Sequence, residues 1–187
     1  MKWKTIIPLV IIIVLIMALF TVNYFNNRKV KAAAPNSNVQ AFLRVIRYAE
    51  GTSGANGYRT MFTGRLFDNG YVAHPNIRNC ANGTCSTAAG AYQFLTSTWN
   101  ALKLKLSLPD FSPASQDLAA IELIRQEGAL DDVIAGRFST AIDKVQNIWA
   151  SLPDVPGGER APGYGQPIKT LAELQGVYQT NGGINVA

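Results

Sequence analysis

The residue best placed to do chemistry in this sequence is Glu50. Apolar positions Phe42, Val45, Ile46 and Ala49 recur at helical spacing and stop at Glu50-Gly51. They predict a helix with Asn38 as its N-cap and glycine as its C-terminal punctuation. A carboxyl at that end meets the partial negative charge of the helix dipole, which disfavours its ionised form. Burial against aromatic side chains raises its pKa further. A carboxylic acid that keeps its proton near neutral pH is the group needed to protonate a glycosidic oxygen. The competing reading is a solvated end-of-helix Glu with no role.

A second constellation is Ser86-Thr-Ala-Ala-Gly-Ala-Tyr-Gln-Phe94. Gly90 lets a ligand approach the backbone closely. Tyr92 and Phe94 offer faces on which sugars stack, and Gln93 offers an amide for hydroxyl or acetamido groups. A loop entering a core strand explains the same pattern. A hydrolase with two carboxylates needs a partner for Glu50 across a cleft, and Asp68 is the one other acid in the Gly-rich stretch, without being a strong candidate. His74, before Pro75, reads more readily as a turn residue than as a catalyst. No nucleophile elbow, HExxH pair or phosphate loop is present. With one His and two Cys, no zinc set is completed, so neither metal nor cofactor is expected.

These residues need elements to position them. Residues 52–90, rich in Gly, Asn and Thr and with a turn at Asn69-Gly70, predict a small β-hairpin region with long loops. Helical signals return at Thr96 or Ser97 as a cap, leading through Trp99, Leu102 and Leu106. Ser112-Pro113 starts a helix to Glu127 that Gly128 stops. A short helix reaches Ala135, and Ser139 caps another that carries Ile142, Val145 and Trp149. Residues 153–167 hold four prolines and four glycines and predict a loop, with a last helix from about Ile168 to Gln179. The plan is α+β, mostly helical with a small β part early.

The N-terminus is of a different kind. No charge occurs from Ile6 to Asn27, long enough for the roughly 20 residues that cross a bilayer. Trp3 and Tyr24 stand near the two ends of the apolar run, where amphipathic rings settle. The expected division is a membrane anchor over residues 1–27, a polar linker over 28–38 and a globular domain over 39–187. A cleaved signal peptide is one alternative, with Ala32-Ala33-Ala34 as its site, though that site lies far past the apolar run; a buried soluble helix is the other, though it needs a larger domain to cover all its faces. Five of the 17 basic residues fall before residue 36, where there is no acid, leaving 12 basic residues against 12 acidic ones. A formally neutral domain has no electrostatic footprint for nucleic acid. Lys2, Lys4 and the free amino group balance Arg28, Lys29 and Lys31, so flanking charge does not orient the anchor. Cys80 and Cys85 flank Asn82-Gly83, a strong turn pair, so the expectation is a disulfide, with two free thiols as the alternative. A disulfide places the domain in an oxidising compartment such as the periplasm.

Several stretches, in order, resemble the family of lambda-type endolysins, which are lytic transglycosylases. They are Ala41-Phe-Leu with Glu50-Gly-Thr52, Leu66-Phe67, His74-Pro75, Gly90-Ala-Tyr-Gln93, Asp110-Phe-Ser-Pro-Ala-Ser-Gln-Asp117, Gly128-Ala-Leu130, Asn147-Ile-Trp-Ala-Ser-Leu-Pro153 and Gly163-Tyr-Gly-Gln166. The resemblance spans about residues 39–180. It implies a lysozyme-like fold and cleavage of the β-1,4 bond between N-acetylmuramic acid and N-acetylglucosamine in bacterial peptidoglycan. The product is then a 1,6-anhydromuramic end. By position, Glu50 carries catalysis, Tyr92, Gln93 and Gln166 hold the glycan strand, and Tyr58, His74 and Tyr164 are weaker substrate-binding candidates. The expected setting is the inner membrane of a host bacterium, held by residues 6–24, with a monomeric catalytic domain facing the periplasm. Hydrolytic muramidase and non-catalytic wall-binding module are the alternatives. The chain departs from the family pattern in its N-terminal segment, its Cys80–Cys85 loop and its longer loop before Gly163.

Overall fold

The computed structural model describes residues 3–153 and 169–186. Helix α1, Trp3–Ala33, runs unbroken from the apolar segment into the body of the protein. Its stretch Ile11–Ala33 is long and apolar enough to cross a membrane, and its large apolar side chains at Ile11–Met17, Leu19, Val22, Tyr24 and Phe25 are exposed. The polar stretch read as a linker is helical as far as Ala33. The reason is packing: Val30 and Ala33 are buried, and the Asn27 amide donates to the Lys105 carbonyl at 3.2 Å. Lys29 pairs with Asp131 at 2.8 Å, but both are well exposed, so the pair adds little.

Helix α2, Ser37–Ala49, is the central element. Its N-cap is Asn36, whose side chain accepts from the Val39 N–H, and not Asn38 as predicted. Asn38 is instead buried inside the first turn. Its amide donates to Ile134 O at 3.1 Å and its carbonyl accepts from Ile184 N at 2.8 Å, tying the C-terminal segment to the core. The amphipathic stripe is buried as its spacing predicts, with Phe42 stacked edge-on against Phe138.

The β part is smaller than expected. Strands β1, Asn79–Ala81, and β2, Thr84–Ser86, form one antiparallel hairpin around Asn82-Gly83. Both turn residues are left-handed, at φ 49° and 77°, as a two-residue turn of this hand requires. Asn69-Gly70 also makes a turn, but within irregular chain: Asn69 accepts from Tyr71 N and donates to Ala73 O. Cys80 and Cys85 face each other one pair beyond the turn, with Cα atoms 4.0 Å apart, and are joined as a disulfide. Opposed residues at that register lie close enough for their sulfurs to meet.

The remaining helices are α3, Thr96–Leu106; α4, Pro113–Gln126; α5, Leu130–Ala135; α6, Phe138–Val145; and α7, Leu171–Thr180. Ser112 caps α4 and Gly128 and Gly136 adopt the left-handed conformation, as read from the sequence. Helix α3 starts at Thr96 without a side-chain cap, because the Thr96 N–H bonds to Thr87 Oγ1 across the preceding loop. Helix α6 starts one residue before Ser139, and α7 is capped by Thr170 rather than starting near Ile168. Trp149 lies past the end of α6 and donates its indole N–H to Tyr92 O at 3.1 Å.

Two buried polar residues of α4 hold the body together. Glu122 accepts from Arg125, Gln126 and, from α3, Lys105, and these partners hold its carboxyl down to about 2 against the cost of burial. Gln116 is fully buried. It donates to Tyr58 O at 3.0 Å and Phe111 O at 2.8 Å, and accepts from Ala91 N at 2.8 Å. It therefore fixes three separate stretches of irregular backbone at once. Gly90 sits against it in the left-handed conformation, where a Cβ would overlap both the Gln116 amide and the Phe111 ring. Replacing Gln116 by Ala leaves three buried backbone groups without partners, and thermal unfolding should show a loss of about 3 kcal/mol or more.

Candidate active site

Glu50 stands where the chain leaves α2, and local backbone bonding explains why. The Gly51 N–H bonds to Tyr48 O at 3.1 Å and the Thr52 N–H to Arg47 O at 2.8 Å. This is the Schellman pattern, which needs its penultimate residue left-handed; Gly51 has φ 71°. Thr52 then turns its hydroxyl to Ala91 O at 2.6 Å, which ties the helix end to the loop carrying Gly90 and Gln93. Glu50-Gly51-Thr52 is thus a helix stop that aims one carboxyl outward and locks its base to the opposite loop.

The carboxyl lies between two cavities. One, of about 570 Å³, is bounded by Glu50 on one side and by Thr63, the hairpin residues Asn82 and Thr84, and Gln93 on the other. The second, of about 500 Å³, is bounded by Tyr48, Glu50, Ser53 and Lys169. They share Glu50 and Gly51, so they form one cleft with the carboxyl at its middle. Ser151 is buried and donates its hydroxyl to Glu50 Oε1 at 2.6 Å. Desolvation raises the Glu50 pKa, and the Ser151 bond, which favours the ionised form, partly offsets it. Among the described residues no other carboxylate borders these two cavities. Asp68 is almost fully exposed and pairs with Arg59 at 3.2 Å. No group of His, Cys, Asp and Glu able to hold a metal occurs among the described residues.

The substrate-binding residues expected from the sequence divide. Gln93 lines the cleft. Its backbone is left-handed at φ 49°, and its amide nitrogen donates to Thr60 O and Gly90 O. Tyr92 does not line it. The side chain is 1% exposed and packs against Phe94, and its hydroxyl donates to Asp117 at 2.6 Å, so no ring face is left for a sugar. Tyr58 also donates to Asp117, at 2.8 Å, and carries the Arg47 guanidinium over its ring at 4.5 Å. Desolvation, and after it the Asp117 carboxylate, push the Tyr58 hydroxyl up to about 12. His74 is buried too. Asn76 N–H donates to its Nδ1, so Nε2 carries the hydrogen and donates to Phe94 O at 2.8 Å, and burial lowers its pKa. Tyr92 and His74 are thus buried with their polar ends bonded inside the protein, whereas Tyr58 is part-buried with its hydroxyl on Asp117. Gln166 and Tyr164, and nearly all of the 153–167 loop, lie outside the described residues.

Sequence reasoning gave no role to Ser151, Asp117, Gln116 or Thr52. Each falls within one of the specific runs, Glu50-Gly-Thr52, Ser115-Gln-Asp117 or Trp149-Ala-Ser151, so the signal was in the sequence without its geometry. Replacing Ser151 by Ala removes the bond that favours ionised Glu50. The pKa of Glu50 should rise, and the alkaline limb of the pH–rate profile should move upward as the acid keeps its proton to higher pH. The maximal rate should fall about tenfold, because the carboxyl loses its orienting partner.

Comparison with known proteins agrees with this geometry. The family model described as Endolysin matches residues 40–185. The chain is 40% identical over 165 residues to the endolysin of Escherichia phage P2, covering 80% of this chain and 95% of that protein. It is 39% identical over 138 residues to the endolysin of Escherichia phage lambda, covering 70% and 82%. The solved structure of bacteriophage lambda lysozyme complexed with a chitohexasaccharide superposes with a TM-score of 0.71 at 36% identity, over 81% of this chain and 97% of that one. A second structure of lysozyme from bacteriophage lambda gives 0.68 at 34% identity, with the same coverage. The chain belongs to the endolysin family and has the lambda lysozyme-like fold, with one N-terminal apolar helix added.

Proposed function

We propose that this protein is a lytic transglycosylase that cuts the glycan strands of bacterial peptidoglycan, and that Glu50 is its single acid–base residue. The observation that carries the reading is a carboxyl bordering the cleft, its pKa raised by desolvation and its side chain held by one buried hydroxyl. In the first step Glu50 gives its proton to the oxygen linking N-acetylmuramic acid to N-acetylglucosamine, and the C1–oxygen bond breaks. The substrate's own N-acetyl group stabilises the electron-poor C1. In the second step the C6 hydroxyl of the same muramic acid attacks C1 and returns its proton to Glu50, closing the 1,6-anhydro ring. The carboxyl ends as it began, and no water enters. A solitary carboxylate bordering the described cleft supports this over a two-carboxylate hydrolysis. The relative bound to a chitohexasaccharide supports a glycan ligand for the cleft.

Helix α1 fits a membrane anchor by length and composition. The disulfide fits an oxidising compartment, so the catalytic domain is proposed to face the periplasm from the inner membrane.

Two measurements test these readings. Mass analysis of fragments from isolated sacculi should show muramic ends lighter by one water than hydrolytic products, and Glu50→Gln should abolish their release. Fragments with reducing muramic ends would identify a hydrolase instead. In membrane fractions the full chain should resist alkaline carbonate extraction, whereas a chain lacking residues 1–27 should be released.

A further inference from the structure

Beside the cleft, helices α2 and α7 frame a groove of about 570 Å³ whose lining includes Arg44, Arg47, Tyr48, Ser53 and Glu173. It shares Tyr48 and Ser53 with the cavity that borders Glu50, so groove and cleft form a continuous surface. Along α2, Arg47 and Arg44 stand three and six residues before Glu50, about 4.5 and 9 Å back along the helix axis.

The charges in this groove are not balanced by one another. Glu173 is taken by the Tyr48 hydroxyl at 2.5 Å and by Lys169 at 3.1 Å. Among the described residues Arg44, which is exposed, reaches the Asn181 side-chain oxygen alone, at a long 3.4 Å. Arg47 lies over the Tyr58 ring, with its Nη1 3.4 Å from the Tyr58 hydroxyl, and its Nε is enclosed without any hydrogen-bond partner. Neither arginine makes an ion pair with a carboxylate among the described residues. Asp117 is near enough to feel both charges, yet its Oδ1 accepts from Tyr58 and Tyr92. Two guanidinium groups on neighbouring turns suit a planar anion taken through paired N–H donors.

We infer that this groove is a carboxylate-binding subsite for the peptide carried on muramic acid, with Arg44 and Arg47 as its cations. The inference rests on the proposed wall substrate. Muramic acid carries a lactyl-linked peptide that ends in free carboxylates, and a sugar seated at Glu50 holds that peptide within a helical turn or two of the arginines. The site reads the peptide while the cleft reads the glycan, so it selects strands that still bear their peptides over bare sugar chains.

The test is equilibrium binding by the full chain in detergent micelles, using a fluorescent muramyl tetrapeptide and the same compound with its carboxyls converted to amides. The acid should bind about tenfold or more tightly than the amide, the range expected of charge-assisted hydrogen bonds. Arg44→Gln with Arg47→Gln should erase that preference, while Arg44→Lys with Arg47→Lys should retain part of it. Arg44→Gln alone, at an exposed position that cannot endanger folding, should weaken the preference severalfold. Equal binding of acid and amide by the unaltered chain overturns the inference, as does a preference that survives both glutamine variants. Binding needs no bond cleavage, so an acid preference in a protein that leaves sacculi uncut would keep the subsite and reject the proposed reaction.

Discussion

A partly buried carboxyl group, placed at the end of a helix where partial negative charge gathers, has its pKa raised unless a donor compensates. Among the described residues the compensation comes from one hydroxyl, that of Ser151. The balance between enclosure and that single bond sets the state of Glu50, and much of the surrounding structure maintains it. Stronger donors would leave an ionised carboxylate with no proton to give. With no donor at all, the side chain would keep its proton but lose a fixed direction.

The scaffold holds this balance through short connections rather than a large sheet. Gly51 and Thr52 end α2 with a fixed bonding pattern, and Thr52 reaches across to Ala91. Gln116 fixes Ala91 from the other side while also holding Tyr58 and Phe111. The loop that supplies Gln93 to the cleft is thus clamped by two helices. Behind it, a chain of aromatic contacts from Tyr58 through Tyr92, Phe94 and Trp99 to Phe111 fills the interior. The far wall, by contrast, rests on a two-strand hairpin. Such a small hairpin is marginal alone, and its disulfide limits the conformations open to it.

Helix α1 joins this body without a flexible joint at its described end. Burial of Val30 and Ala33 and the bond from Asn27 to α3 make the last turns of the apolar helix part of the globular core. A helix joined this way fixes the attitude of the domain relative to its own axis. A free polar linker would fix only the distance.

Much of this was legible in the residues because local rules govern it. The stripe of α2, the Ser112-Pro113 start, the stops at Gly128 and Gly136 and the turn at Asn82-Gly83 each follow from periodicity or from the backbone freedom of one residue type. Glu50 at a helix end, and the disulfide beside its turn, follow from the same rules. Other features depended on partners distant in sequence. Whether Tyr92 and His74 met sugar or core turned on Asp117 and on the Phe94 carbonyl, and no spacing reveals a hydrogen bond made 20 or more residues away. Ser151 reaches Glu50 across 101 residues, and Asn36 displaced Asn38 as cap because Ile134 and Ile184 claimed the latter. The sequence by itself determined most of the helices, the turns and the place of Glu50 at a helix end, since these depend on neighbours along the chain. Only the tertiary structure decided which polar groups were left to face the cleft, because that depends on which of them were already satisfied inside.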